Sequence, residues 1–216
     1  MSEILLSILI CSLRDRKPQL NSLLMNLFSQ LDNVVGERED KLVNSIGYKG
    51  VVRIEKHCSF SVEIIVATDN KEVTTGEKRN ILMSEATGKY TIFSDDDDRL
   101  PGYYIEELLK AVESDADCFG ITGTMLTNGA DEKKWYICLG CPYIARRDEN
   151  GKEEYVRFPN HITGVKREIA NKFPFPPISQ GEDFAFAQAM NTAGVLKTEY
   201  KIERHPMYIY DYRTNK

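Results

Sequence analysis

The sequence has no apolar run long enough to cross a bilayer. Its longest stretch of that kind, Ile4 to Cys11, spans 8 residues and is interrupted at Ser7, whereas a membrane-spanning helix needs about 20. No basic region leads into that stretch, so it does not read as a secretory signal and is better explained as a buried strand. A basic excess is also missing. Lys and Arg number 28 against 33 Asp and Glu, for a net charge of −5, where nucleic-acid binders usually carry the opposite imbalance. The basic pairs Lys133-Lys134, Arg146-Arg147 and Lys166-Arg167 read as solvated surface. Cysteine is sparse, at 5 residues, and Cys138-Leu139-Gly140-Cys141 is a lone CxxC with no second pair to complete a zinc knuckle. An odd count without a secretory signal predicts reduced, buried thiols and a cytoplasmic setting. No glycine-rich phosphate loop follows the first apolar run.

What is present is a repeating α/β pattern. With 216 residues, 42% of them hydrophobic, the chain suits one domain, 1–216, in two halves: 1–125 and 126–216. Residues 4–13 predict a central strand buried on both faces. Pro18 sits near the start of a helix whose apolar face is Leu20, Leu23, Leu24, Leu27, Phe28 and Leu31. Residues 32–61 lack a clear period, and Val51–Ile54 fits either a hairpin or a loop insertion. Val62–Ala67 is a second strand. A helix over 76–87 follows, with Gly88 expected as its C-cap. Tyr90–Phe93 is the third strand, Pro101 opens the next helix, and Cys118 begins a fourth strand. This order implies a mostly parallel sheet flanked by helices, with ligands beyond the carboxyl ends of its strands. Residues 135–157 read as short antiparallel strands, 166–173 and 182–193 as helices, and 195–212 as a tyrosine-rich β tail.

Asp95-Asp96-Asp97-Asp98 follows the third strand directly. Carboxylates this close repel one another and raise each other's pKa. A hard divalent cation removes that cost, and Mg²⁺ or Mn²⁺ takes one or two carboxylates and completes its shell with water and phosphates. Alternation along an extended segment puts Asp95 and Asp97 on one side, with Asp98 within reach of a metal or a sugar hydroxyl. The competing explanation is that Asp97 and Asp98 cap the helix near Pro101.

Several segments together resemble the family 2-like glycosyltransferases of GT-A fold, a Rossmann-like α/β architecture with a small antiparallel region on the acceptor side. Ser7–Arg16 is similar to that family's first strand and loop, although Cys11-Ser12-Leu13-Arg14-Asp15-Arg16 departs from the usual Pro-Thr-x-Asn-Arg. Glu63–Asn70 resembles the strand whose terminal aspartate, here Asp69, binds the nucleoside base. Gly76–Asn80 resembles the segment that brings Arg79 and Asn80 to base and diphosphate. Phe93–Asp98 resembles the DxD motif, and Gly181-Glu182-Asp183 the Glu-Asp motif that supplies the base. Asn160–Arg167 resembles the segment preceding that motif, and His205–Arg213 the closing strand.

The resemblance implies transfer of a hexosyl or pentosyl group from a nucleotide-diphosphate sugar to an acceptor hydroxyl. Asp15, Asp69, Arg79, Asn80, Asp95 and Asp96 would contact the nucleotide sugar. Asp95, Asp97 and Asp98 would hold Mn²⁺ or Mg²⁺, with His205 as a further metal ligand. Asp183, with Glu182, would deprotonate the acceptor, giving inversion. A saccharide acceptor is expected, with modified DNA as an alternative. His161 and His205 each also fit a purely structural role, and the alternating tyrosines and Trp135 fit core packing as well as sugar stacking. Two rival functions are a metal-dependent nucleotidyltransferase and a non-catalytic nucleotide-sugar or divalent-ion binding module.

Overall fold

The computed structural model describes residues 4–35, 40–43, 51–56 and 61–212. In chain order it begins with β1 (Ile4–Leu13), a short 3-10 turn (Arg14–Arg16) and α1 (Lys17–Val35). Then come β2 (Asp40–Val43), β3 (Val51–Lys56), β4 (Ser61–Asp69), α2 (Thr75–Glu85), β5 (Tyr90–Phe93), α3 (Tyr104–Glu113) and β6 (Cys118–Thr127). The second half holds β7 (Ala130–Ile137), β8 (Ile144–Arg147), β9 (Glu153–Arg157), β10 (Val165–Lys166), α4 (Arg167–Ala170), α5 (Glu182–Ala193), β11 (Glu199–Lys201) and β12 (Tyr208–Tyr212).

β1 is central because both of its faces are apolar. Leu6, Ile8 and Ile10 join Leu23, Leu27 and Leu31 of α1 and Ile105 and Leu108 of α3 in one cluster. Leu9 points the other way, into a second cluster with Ile65, Leu82, Phe175, Phe186 and Met190. β1 pairs in parallel with β4 on one side and β5 on the other. The register sets Leu13 opposite Asp69, so the ends of β1 and β4 open at the same edge, where the chain leaves β5 as Asp95–Asp98.

The expected parallel succession is interrupted once. β10 lies antiparallel between β5 and β6, delivered by residue 161, whose carbonyl accepts from the Phe93 N–H at 2.9 Å. Two residues of strand carry no periodicity to detect. β3 pairs with both β2 and β4, antiparallel, which settles the hairpin alternative for Val51–Ile54.

The region 135–157 is not wholly antiparallel. β8 and β9 are antiparallel, but β7 and β9 run parallel, since β8 is inserted between them in sequence and lies outside them in the sheet. Both β11 and β12 add to β6 in parallel. The helix expected over 166–173 shrinks to Arg167–Ala170, and the one expected at Pro101 starts at Tyr104. No helix among the described residues is long and apolar enough to cross a membrane.

Gly88 does not cap α2. That position falls to Ala86, whose N–H donates to the Leu82 carbonyl. Gly88 is instead pressed against β1, where a Cβ would sit 2.7 Å from the Ser7 nitrogen. The start of α2 is fixed by a reciprocal capping box. The Thr74 hydroxyl accepts from the Glu77 N–H at 3.2 Å, and the Glu77 carboxylate accepts from the Thr74 N–H at 2.9 Å. Gly76, the second residue of the helix, donates to the Ile178 carbonyl at 3.0 Å, and a Cβ there would meet the Pro176 carbonyl oxygen at 1.8 Å. Because the obstacle is backbone, Gly76→Ala is expected to destabilise the fold by about 1–3 kcal/mol. A thermal melt of the variant checks this, and an unchanged midpoint would mean the 176–178 segment shifts freely.

Candidate active site

The four aspartates alternate as an extended segment should, and each pair has its own surroundings. Asp96 and Asp98 turn inward, 2% and 8% exposed. Asp96 accepts from the Ser12 hydroxyl at 2.6 Å and from Arg16 Nη1 at 2.9 Å. Asp98 accepts from the Tyr208 hydroxyl at 2.8 Å and from the Asp211 N–H at 3.4 Å. Burial raises both carboxyls, and Asp98 well above its ordinary range because the Asp95 charge adds to burial. Asp95 and Asp97 keep side-chain exposures of 34% and 23%. Burial also works against the Asp95 carboxylate, but Arg79 and then His161 outweigh it and hold the group well below the usual carboxylate range. Capping does not explain the run: α3 begins after Tyr103, with no side-chain cap.

Arg79 is 4% exposed. It reaches Asp95 at 3.2 Å and Glu182 at 3.3 Å, with its guanidinium 5.0 Å from the Phe93 ring centre and 5.6 Å from that of Phe175. Rather than standing over an open phosphate site, it is a buried link between the acidic run and the start of α5. Asn80 is likewise occupied. Its amide donates to the Phe175 carbonyl and accepts from the Phe175 N–H, both at 2.8 Å, which makes it a clamp on the 175–178 segment and not an open nucleotide contact.

Asp69 ends β4 and is buried. It pairs with Lys78 and accepts from the Val73 N–H at 3.1 Å. The Lys78 ammonium also donates to the Ser12 carbonyl at 2.9 Å. On the opposite side, His161 is buried with Nε2 3.5 Å from Asp95 and Nδ1 3.9 Å from Asp183. Asp183 lies in the first turn of α5 after Gly181, which takes the left-handed conformation at φ 80°.

Two expected residues are elsewhere. His205 is exposed, and its Nδ1 meets the Thr122 hydroxyl at 2.8 Å; it faces β6 because β12 enters the sheet alongside that strand, which leaves Tyr208, three residues later, to reach the aspartates. Asp15 is exposed in the 3-10 turn, and its neighbour Arg16 is the residue that contacts Asp96 and Asp97. The thiol expectation also needs correcting, since Cys138 and Cys141 form a disulfide across the turn after β7. Cys11 and Cys118 are free, burial pushes the Cys11 thiol up to about 12, and Cys58 lies outside the described residues. One residue of each basic pair is ion-paired: Lys133 with Glu153, Arg146 with Glu154, and Lys166 with Asp115 and Asp117.

Two cavities meet at Asp95 and Tyr210. The first, about 310 Å³, is lined by Asp183, His161, Asp98 and an aromatic wall including Trp135, Tyr155 and Tyr208. The second, about 500 Å³, runs from Asp95–Asp97 past Ser12 and Arg16 to Thr74 and Lys78. Among the described residues no three of His, Cys, Asp and Glu are gathered as a metal cage. The chemistry of the donor set still fits Mg²⁺ or Mn²⁺, since these ions need only one or two carboxylates when phosphates complete the shell, and Asp95 and Asp97 are the outward pair.

Tyr208 joins the two aspartate pairs. Its hydroxyl donates to Asp98 and accepts from the Asp95 N–H at 3.0 Å. Tyr208→Phe leaves both partners buried or half-buried without it, so a loss of about 1.5–3 kcal/mol is expected. Denaturant unfolding measures it, and a loss under about 0.5 kcal/mol would assign the aspartates another support.

A comparison with curated proteins finds no match. Among solved structures, S. aureus TarS 1-349 in complex with UDP aligns with a TM-score of 0.56 at 11% identity, over 96% of this chain and 60% of that one. The same TarS fragment in complex with UDP-GlcNAc aligns with a TM-score of 0.56 at 10% identity, over 99% and 60%. TarS itself aligns over 96% of this chain and 37% of that one, with 10% identity and a TM-score of 0.56. The chain thus spans 37–60% of the length of these structures, and at such identities the likeness is one of fold. The family model for glycosyl transferase family 2 matches residues 51–173, more than half the chain and the stretch holding Asp69, Arg79, the acidic run and His161. This chain belongs to glycosyl transferase family 2.

Proposed function

We propose that this protein transfers a sugar from a nucleotide-diphosphate sugar, a uridine one by analogy with the TarS complexes, to a hydroxyl of a saccharide acceptor, with inversion. The observation that carries this reading is the meeting of the two cavities at Asp95 and Tyr210, with Asp183 on the first and the outward aspartates on the second. The second cavity takes the nucleotide and the first takes the acceptor, so the sugar sits at the seam. Asp183 then accepts the acceptor's proton on the face opposite the leaving diphosphate, as direct displacement requires. His161 and the helix start orient Asp183, and Arg79 holds Asp95 in place. Mn²⁺ or Mg²⁺ on Asp95 and Asp97 would supply positive charge against the leaving diphosphate. The aromatic wall of the first cavity suits the apolar face of a sugar ring. DNA is disfavoured as acceptor because the net charge is −5 and one residue of each basic pair is engaged by a neighbouring carboxylate.

The test is a donor panel that includes UDP-GlcNAc, with Mn²⁺, reading nucleoside diphosphate release. Release that EDTA abolishes is the expected result. Pyrophosphate release from a nucleoside triphosphate would favour a nucleotidyltransferase instead. Thermal stabilisation by donor without turnover in any acceptor mixture would favour a binding module.

A further inference from the structure

Lys78 is a buried charged side chain that the proposed reaction leaves unused, and it lines the second cavity. Asp69, to which the family resemblance gives base recognition, is 2% exposed and lies behind it. Two of the three ammonium hydrogens have protein partners, the Asp69 carboxylate and the Ser12 carbonyl. One hydrogen is left for a ligand.

The position of Lys78 identifies which part of a nucleotide it would meet. β4 and β5 flank β1 on opposite sides, so their ends stand about two strand spacings apart, roughly 9–10 Å. With the diphosphate at Asp95 and Asp97, at the end of β5, the base falls at the end of β4, where α2 presents Lys78.

We propose that Lys78, and not Asp69, reads the nucleobase, selecting one with a carbonyl oxygen where cytosine and adenine carry an amino group. An ammonium only donates, so it pairs with O4 of uracil or O6 of guanine and is opposed by the N–H groups of an amino base. Asp69 is the positioning residue: it anchors the ammonium and balances its charge. This rests on the second cavity being the nucleotide site.

Calorimetric titration with UDP and CDP in the presence of Mn²⁺ tests it, because the two differ only on that edge. The wild-type protein is expected to favour UDP by about tenfold or more, the worth of one charge-assisted hydrogen bond. Lys78→Met should reduce the preference to within about twofold. If Asp69 were the reader, removing Lys78 would uncover its carboxylate for the uracil N3–H and the preference would survive, which overturns the proposal. A second measurement needs no variant. 4-Thio-UDP weakens the acceptor at position 4 while keeping N3–H; it should bind the wild type about tenfold more weakly than UDP if Lys78 reads that atom, and equally well if it does not. Equal binding of UDP and CDP by the wild type overturns the base-reading role while leaving the nucleotide site standing. Binding of neither nucleotide removes the site itself and the proposal with it.

Discussion

Asp183→Asn is expected to lower kcat by about 10²–10⁴-fold, the usual worth of a general base, while nucleoside diphosphate affinity stays within about twofold of wild type. The two readouts separate because the two cavities separate. Asp183 lines the first, whereas the nucleotide would occupy the second, whose described lining runs from Asp95 to Lys78 without it. The substitution is nearly isosteric and leaves an amide where a carboxylate faced His161 Nδ1 at 3.9 Å. It removes a negative charge from the first turn of α5, which costs about 0.3–1 kcal/mol, too little to unfold the protein. Steady-state kinetics with a responsive donor and acceptor, together with titration of the diphosphate, check both halves. Turnover within about threefold of wild type would remove Asp183 from the base role. Intact turnover with lost diphosphate affinity would place it on the donor side instead.

The parts of this site that lie within one element were readable from the sequence, and the parts that depend on which strands become neighbours were not. The apolar run of β1, the 3.6-residue stripe of α1 and the acidic run after β5 are local patterns, and alternation along the run correctly separates Asp95 and Asp97 from Asp96 and Asp98. Ser12, Tyr208 and His161 carry no local signal. Ser12 reaches Asp96 across 84 positions, and Tyr208 reaches Asp98 across 110. Tyr208 competes on equal terms with Tyr200, Tyr210 and Tyr212 in the sequence; only the pairing of β12 with β6 decides that Tyr208 points inward. His205 lies against Thr122 of β6 for the same reason. Arg79 and Asn80 are legible as residues but their contacts with Phe175 are not, because that residue arrives from a region whose conformation has no periodicity. One missed signal was available: Thr74-Thr75-Gly76-Glu77 has the spacing of a capping box, which places the first turn of α2 and hence Lys78 and Arg79 immediately after β4.

Arg79→Met is expected to cost about 3–5 kcal/mol of stability, the penalty for leaving buried charges without their partner. Arg79 is the only described cation bonded to Glu182, which is 5% exposed, and it is the first of the influences that hold Asp95 ionised. Methionine fills part of the space between Phe93 and Phe175 and makes favourable sulfur–ring contacts of its own, so the loss is electrostatic more than steric. Its consequence is specific in sign. Asp95 is depressed in the folded state, so its ion pair stabilises the fold at pH values above the ordinary carboxylate range and that contribution fades as pH falls through the depressed value. Removing Arg79 should therefore destabilise most near neutral pH and least in acid, where Asp95 takes up a proton and no longer needs a partner. Thermal melts of wild type and variant from about pH 7 down to about pH 2 test this: the two midpoints should converge toward the acid end. Parallel curves with a constant offset would mean that Arg79 acts by filling volume between the two rings, and that the acidic run is held by Ser12, Arg16 and Tyr208 alone.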